Sequence, residues 1–548
     1  MKWEIKETDA LGRYGTLVVN SKRISTPNLF PVVHPYRNNI SISFLKKIGA
    51  QCLFTNAYIM YQNAQNRDEI LRKGIHQYLN FDGIIATDSG AFQKYMYNQS
   101  DIKIQADDIE KFQENINTDF AVILDEPVQL DDDYNTAKRK VFTTIQRAKD
   151  NINRRVRKNC YWIAPIHGAK YTDLLITSTI EMSKLDFGIY AIGGLVKLFL
   201  DYRFDIAIRL LLNVKKNIKW DKPIHMFGLG LPLFFSLAVA CGCDLMDSAA
   251  YFLYAKEKRY FTLSTGTKRL EELEEFPCHC PICCDHNPRE IRSLENDLQI
   301  QLIAKHNLYI SFSELRTIRQ AIKEGNLWEL VEQRIRSHPN LVNAANIIKS
   351  ELPFFEKHEK RYKTHGRLYT SIESLNRPLF YRYENWFWEN YRVPKSVKFL
   401  IILPELDIKS EKSPSIRKWI EEIDENSIIQ REFLHILFLS EYYGIIPFGL
   451  RNTFPLGQYD SQNSSGIHQI LYKNMLSKAI NFFKKHSHNY LKCGILVPEK
   501  FINQFNETMD FYKKENIYKL IEVLKAKFNL RFSIFNNIED LLQFFKET

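Results

Sequence analysis

The sequence predicts an α/β fold: a (β/α)8 TIM barrel with a small cysteine-rich subdomain, followed by a smaller α/β domain. Three observations carry that prediction. Short apolar runs alternate with longer amphipathic stretches from about residue 50 to 255. Acidic, histidine and glycine residues recur where those runs end. Cysteines crowd into one short segment, at Cys278, Cys280, Cys283 and Cys284.

The apolar runs are QCLFTNAY (51–58), GIIATDSG (83–90), AVILDEP (121–127), YWIAPIHG (161–168), FGIYAIGGL (187–195), PIHMFGLG (223–230) and CDLMDSAAY (243–251). Each has the length of a strand and is apolar on both faces, as strands buried in a parallel sheet are. Helical segments such as ADDIEKFQENI (106–116) and the basic stretch 134–158 lie between them. With a strand region around TLVVN (16–20) supplying the eighth strand, these units predict a closed barrel. A doubly wound open sheet is the alternative. The placement of chemistry favours the barrel. Asp88, Asp125, His167, Gly193, Gly194, Gly228, Gly230 and Asp247 fall at the C-terminal ends of different runs, where barrel active sites assemble.

Beyond the cysteines, helices are expected over roughly 296–350. One is FSELRTIRQAIKEG (312–325), with Ser313 as N-cap and Gly325 as terminator. The basic stretch EKHEKRYKTHGR (356–367) reads as an inter-domain boundary. VKFLIILPEL (397–406), LHILFLS (434–440) and CGILVPE (493–499) read as strands of a second α/β domain. The expected organisation is a barrel over 1–350, including the cysteine segment at about 276–310, a connection over 351–395 and a C-terminal domain over 396–548.

Length and composition agree with this division. A chain of 548 residues with 45% hydrophobic and 25% charged residues supports several globular cores. No apolar run approaches the roughly 18–20 residues needed to cross a bilayer, and the N-terminus lacks a signal-peptide pattern. A cytoplasmic protein with no membrane partner is expected. The net charge of +11 suits a polyanionic partner. Arg154, Arg155, Arg157 and Lys158, or the 356–367 stretch, are candidate phosphate contacts. The nine cysteines are too unevenly spread for a disulfide scaffold.

Cys278, Cys280 and Cys283 with a downstream histidine make a tetrahedral donor set suited to Zn2+. Four protein ligands leave no open coordination position, so one structural zinc is expected. Spacing alone leaves His306 and His286 as alternatives for the fourth ligand. Asp88 in TDSGAFQ and Asp247 in DLMDSAAY stand at strand ends. Two carboxylates facing each other across a barrel mouth can divide glycosidic chemistry, one attacking the anomeric carbon and the other handling protons. A single aspartate in such a place equally well caps the next helix. Asp125, His167 and the glycines of AIGGL form a candidate pocket wall. A carboxylate there can accept the paired N–H edge of a guanine-like base, and glycine lets a flat ligand approach the backbone.

Taken together these strings resemble the archaeal branch of the tRNA-guanine transglycosylase family. The matching segments are PVVHP (31–35), TNAYIMY (55–61), ATDSGAFQ (86–93), LDEPV (124–128), AIGGL (191–195), HMFGLG (225–230), DLMDSAAY (244–251) and CHCPICC with its downstream KHNLY. They occur in the family's order over about 1–350. RPLFYRY (377–383), FLIILPE and PLGQYD (455–460) resemble a domain of archaeosine-pathway enzymes.

The resemblance implies replacement of guanine in the tRNA D-arm, at position 15, by 7-cyano-7-deazaguanine. It implies Asp247 as covalent nucleophile and Asp88 as proton handler, with the reverse assignment as the alternative. It further implies base contacts from Asp125, His167, Ala191, Gly193, Gly194, Ser89 and Phe92, with Phe92 stacking on the heterocycle. Zinc ligation by Cys278, Cys280, Cys283 and His306 follows from it, as does a homodimer or a pairing with a second RNA-binding chain. Departures from the family's pattern are His167 in place of glutamine, Leu231 in place of histidine and His34 in place of asparagine. No RNA-binding PUA domain is recognisable at the C-terminus. Insertion of a deazapurine into DNA, or a non-catalytic RNA-binding subunit, are the competing readings.

Overall fold

The computed structural model describes residues 1–37, 40–91, 105–406, 408–409, 412–426, 429–461, 465–498 and 511–546. The chain divides into two compact units, Met1–Phe354 and Phe355–Thr548.

The first unit opens with a three-stranded antiparallel sheet, β1 (Lys2–Asp9), β2 (Gly12–Val19) and β3 (Lys22–Thr26). Eight parallel strands follow: β4 (Asn28–Pro31), β5 (Cys52–Asn56), β6 (Ile84–Asp88), β7 (Phe120–Val122), β8 (Tyr161–Ile166), β9 (Ile189–Ile192), β10 (Ile224–Met226) and β11 (Leu245–Ser248). Their order is β4-β11-β10-β9-β8-β7-β6-β5. A parallel bridge between Val32 and Phe54 joins the two ends, and the Val33 N–H donates to the Phe54 carbonyl at 2.8 Å. The sheet is therefore a closed (β/α)8 barrel, as the sequence predicted.

One strand is not where the sequence placed it. TLVVN lies in β2, outside the barrel, and NLFP forms the eighth barrel strand. The burial pattern gives the reason. Burial alternates along the end of β2, whereas all four residues of β4 are buried. Alternation marks a strand with one wet face. The buried face of this sheet supplies Leu17, Val19 and Ile24, which pack with Phe30, Cys52, Ile84, Phe120, Ile163, Ile189 and Leu245 in one core. These barrel residues lie mostly at strand starts, so the antiparallel sheet plugs the N-terminal end. The opposite end is left for the site.

After β11 the chain forms a hairpin, β12 (Arg259–Thr262) with β13 (Gly266–Arg269), and then a 29-residue helix, Asn296–Glu324. This helix runs straight through Ser313, which is exposed and caps nothing. The expected helix start at 312 is therefore absent, because the apolar stripe continues upstream through Leu302, Ile303 and Leu308. The expected terminator is present: Gly325 adopts φ +73° as the C-cap.

In the second unit a five-stranded sheet has the order β17-β16-β15-β19-β20. The strands are β15 (Phe399–Pro404), β16 (Leu434–Ser440), β17 (Gly444–Pro447), β19 (Lys492–Leu496) and β20 (Arg531–Phe535), and β17 alone runs antiparallel to its neighbour. The short strands β14 (Arg367–Tyr369) and β18 (Tyr459–Ser461) pair separately. Lys363 and Arg367, in the basic stretch, are buried, and Lys363 pairs with Glu359 at 2.6 Å. Among the described residues no helix is long and apolar enough to cross a membrane.

The two helix positions separate the sequence reading from the structure. Ser313→Ala removes no cap and is expected to leave the thermal midpoint unchanged or slightly raised. Gly325→Ala forces a Cβ into the left-handed region and is expected to cost about 1–2 kcal/mol. Thermal denaturation of both variants checks this.

Candidate active site

Neighbouring strands deliver their polar residues to one end of the barrel. Asn56 ends β5, Asp88 ends β6, Asp125 follows β7, His167 follows β8, Gly193 and Gly194 follow β9, His225 lies in β10 and Asp247 lies near the end of β11. Register pairs Asn56 with Asp88 across β5 and β6. The Asn56 side chain serves two elements at once. Its Oδ1 caps the helix Ala57–Gln62 by accepting from the Ile59 N–H at 2.9 Å, and its Nδ2 donates to Asp88 Oδ2 at 2.9 Å.

Three carboxylates share this mouth, and they are compensated differently. His167 Nε2 lies 2.6 Å from Asp125 Oδ2. His225 Nε2 lies 2.7 Å from Asp247 Oδ1, and the Gly228 N–H donates to the same oxygen at 3.2 Å. Both imidazoles are buried, with 1% side-chain exposure each. In each ring Nδ1 has no hydrogen-bond partner among the described residues, so Nε2 carries the shared proton. Among the described residues no histidine is paired with Asp88. Burial, reinforced by the negative charges of Asp125 and Asp247, pushes its carboxyl up to about 7, against the opposing pull of the Gly90 and Ser89 backbone N–H groups. Desolvation and like charge both favour the protonated form.

The remaining expected contacts fall as follows. The Ser89 hydroxyl donates to the Ile123 carbonyl at 3.1 Å, so it ties the end of β6 to the end of β7. Ala191 is fully buried in the barrel interior, in register with His225 and Pro165. Gly193 lies against the His167 ring, where a Cβ would come within 2.2 Å of Cε1. Gly194 adopts φ +75°. Phe92 lies outside the described residues. His225 and Asn56 were not singled out from sequence. A histidine inside an apolar run carries a local signal, but its partner Asp247 is twenty-two residues away.

Three of the arginines expected to contact phosphates have partners within the protein. Arg154 pairs with Asp107 and Glu110 at 3.0 Å each. The Arg155 guanidinium sits 4.6 Å over the Phe187 ring, and Arg157 donates to Asn117. All three precede β8, at the barrel end away from the mouth.

The cysteines form a separate centre. Cys280 caps the helix Pro281–Asp285, which carries Cys283, and His306 projects from the helix Asn296–Glu324. The donor atoms of Cys278, Cys280, Cys283 and His306 all lie within 4.8 Å of one another. Cys280 Sγ is 3.5 Å from Cys283 Sγ, and His306 Nδ1 is 3.4 and 3.3 Å from these two sulfurs. A tetrahedral zinc, about 2.3 Å from sulfur and about 2.0 Å from nitrogen, spaces its ligands by roughly 3.5–3.8 Å. His306 Nε2 donates to the Phe261 carbonyl at 3.0 Å, which leaves the Nδ1 lone pair facing the sulfurs. Tyr260 stacks on the imidazole at 3.6 Å, and its hydroxyl lies 3.2 Å from Cys283 Sγ. His286 is not in the group. The four residues can hold a metal ion, and the donor set fits zinc.

Fold and site define a (β/α)8-barrel enzyme with a carboxylate-lined mouth and a separate four-ligand metal centre. The family described as queuine tRNA-ribosyltransferase matches residues 8–340. Among curated relatives, a protein of Methanococcus maripaludis strain C5 is 35% identical over 538 residues, covering 96% of this chain and 79% of the relative. One of Methanocaldococcus jannaschii is 36% identical, covering 92% and 75%, and one of Archaeoglobus fulgidus is 41% identical, covering 72% and 81%. Each of the three is named tRNA-guanine(15) transglycosylase. The chain belongs to the queuine tRNA-ribosyltransferase family.

The raised Asp88 has a stability signature. Its folded value of about 7 lies above the ordinary 3.8, so between these pH values the folded chain holds more protons than the unfolded chain. Folding then weakens as pH rises through that window, by an amount on the order of 4 kcal/mol at most. Asp88→Asn lacks this cost. The thermal midpoint of Asp88→Asn relative to wild type is expected to climb from about pH 4 to pH 7 and then level off. Melts across a pH series check it.

Proposed function

We propose that this protein exchanges guanine in the D-arm of tRNA, at position 15, for 7-cyano-7-deazaguanine, by two displacements at the ribose anomeric carbon. The relatives' shared name supports the guanine exchange. The observation that carries the chemistry is the division of charge at the mouth, where two aspartates are bound by histidines and the third is pushed up to about 7.

In this reading Asp247 attacks C1′ and forms an aspartyl–ribose ester. The electron pair of the C1′–N bond passes to guanine, which takes the proton held by Asp88. The incoming base then returns an N–H proton to Asp88, and its nitrogen attacks C1′. The C1′–O bond breaks and Asp247 regains its carboxylate. No water is consumed, and two inversions retain configuration. Water must be excluded while the ester exists, since hydrolysis would leave an abasic site. The target nucleotide must also leave its stack to reach the barrel mouth.

Asp125 reads the amino-pyrimidine edge with the oxygen that His167 leaves open. Gly193 and Gly194 bring backbone close to the heterocycle, and Ser89 supports the strand end from which Asp88 projects. The metal, taken as one zinc on Cys278, Cys280, Cys283 and His306, ties the segment after β13 to the long helix. It supplies folding energy and takes no part in the reaction. The enzyme works in the cytoplasm, as a homodimer or with a second RNA-binding chain.

The test is purified protein with labelled guanine and either unmodified tRNA or duplex DNA. Label is expected in tRNA only; label in DNA alone, or in neither, overturns the reading. Asp247→Asn is expected to give no covalent tRNA adduct on denaturing electrophoresis. An adduct at the wild-type level would remove Asp247 from its role.

A second prediction concerns the metal. Purified protein is expected to contain one zinc per chain, and Cys280→Ala to lose it with a fall in thermal midpoint of several degrees, corresponding to more than about 2 kcal/mol. Metal analysis and melts of the same samples check both.

A further inference from the structure

Asp247 is held by more than its own strand. One of its oxygens, Oδ1, receives both His225 Nε2 at 2.7 Å and the Gly228 N–H at 3.2 Å. No hydrogen bond reaches Oδ2 among the described residues. The two donors come from β10 and the turn after it, the neighbours of β11. The carboxylate is thus gripped from the side, with one oxygen bound and one presented.

The histidine is itself tightly placed. Its ring is buried and lies 5.8, 6.1 and 5.1 Å from the rings of Phe30, Phe54 and Phe227. Nδ1 meets no donor or acceptor among the described residues. An N–H there would be left unsatisfied in apolar surroundings, which is costly. The bound tautomer is therefore Nε2–H with a bare Nδ1. His225 offers Asp247 one directed N–H and cannot rotate away from it without unpacking three phenylalanines.

We infer that His225 is the positioning residue of the nucleophile: it holds Oδ1 so that Oδ2 attacks, and with Gly228 it receives the negative charge that returns to Asp247 when the ester breaks. This rests on the reading of Asp247 as nucleophile given above. Its consequence is asymmetric. In the first displacement the carboxylate loses charge, so the donors contribute little to its speed. In the second the C1′–O bond breaks, its electron pair returns to the carboxylate, and the donors stabilise that growing charge. Removing the histidine N–H should slow ester breakdown more than ester formation.

The experiment compares full-length wild type, His225→Phe, His225→Gln and Asp247→Asn in guanine exchange on unmodified tRNA. Turnover and the fraction of enzyme held as covalent tRNA adduct are both read. Phenylalanine keeps the ring shape among its aromatic neighbours and removes the donor. Glutamine places an amide N–H near the position of Nε2. His225→Phe is expected to lower kcat about 10–100-fold, the loss expected for one hydrogen bond to a charged group. Its adduct fraction should rise above wild type, with KM for tRNA little changed. His225→Gln is expected to recover most of the turnover and the wild-type adduct fraction.

Wild-type kinetics in His225→Phe overturn the inference. So does equal loss in both variants without adduct accumulation, which together with lowered melting points identifies a purely structural histidine. An adduct that persists in Asp247→Asn overturns the nucleophile assignment instead, whatever the His225 variants do.

Discussion

Three carboxylates at the same end of one parallel barrel repel one another, and the arrangement of the mouth follows from how that repulsion is relieved. Two unit charges about 4 Å apart at an effective dielectric near 20 cost about 4 kcal/mol, a sizeable share of the stability of a typical domain. Water is the usual remedy, but it is a poor one at a site whose proposed intermediate is an ester. The protein instead gives Asp125 and Asp247 a buried imidazole each and leaves Asp88 with an amide. The carboxyl held by amides alone is the one pushed up to about 7. In the proposed cycle, proton handling falls to Asp88 through the neighbours that the other two aspartates have.

The fold supports this by keeping its two ends separate. The antiparallel sheet β1–β3 fills the N-terminal end with Leu17, Val19 and Ile24. Buried ion pairs gather on the same side, including Arg13 with Asp244 and Lys22 with Asp119. Asp244 and Asp247 lie three residues apart, yet one anchors the start of β11 and the other faces the mouth. The metal centre is a third region. His306 and its neighbour Asn307 pin β12, through the Phe261 carbonyl and the Phe261 N–H respectively. A metal held by the four donors would order this hairpin-to-helix junction.

Much of this was legible in the sequence because it depends on local pattern. Strands buried on both faces read as continuous apolar runs, so most of β5–β11 could be placed, and strand-end residues followed from them. The cysteine spacing was equally local. What the sequence hid depends on distance or on burial of a single face. TLVVN reads as a barrel strand because alternation is weak over five residues. NLFP is too short and too close to prolines to register. Ser313 resembles a cap only if the apolar stripe upstream is overlooked, and the partners of Arg154, Arg155 and Arg157 are equally hidden in the sequence. The choice between His286 and His306 turned on a helix register that cysteine spacing does not carry. The Asn56–Asp88, His167–Asp125 and His225–Asp247 contacts cross strands. Each needs the barrel order before it can be seen.

The two histidine–aspartate pairs share a geometry but serve different needs. His167 sits against Gly193, at a place where no Cβ fits, so its ring and the backbone of AIGGL form one flat wall. Under the proposed function the carboxylate held on this wall keeps its charge throughout the cycle, because it accepts hydrogen bonds from whichever base is present. In the proposed mechanism Asp247 loses its charge and regains it within each cycle. His225 meets that need with a single directed N–H from within an aromatic cage. It orients the oxygen without neutralising it, and it remains in place when the charge returns. The surroundings of the two rings differ: His225 is enclosed by Phe30, Phe54 and Phe227, whereas the His167 ring lies against the Gly193 backbone, and its main-chain N–H donates to the Ser178 hydroxyl oxygen. The chemistry of the mouth therefore depends as much on what surrounds each histidine as on the aspartate it holds.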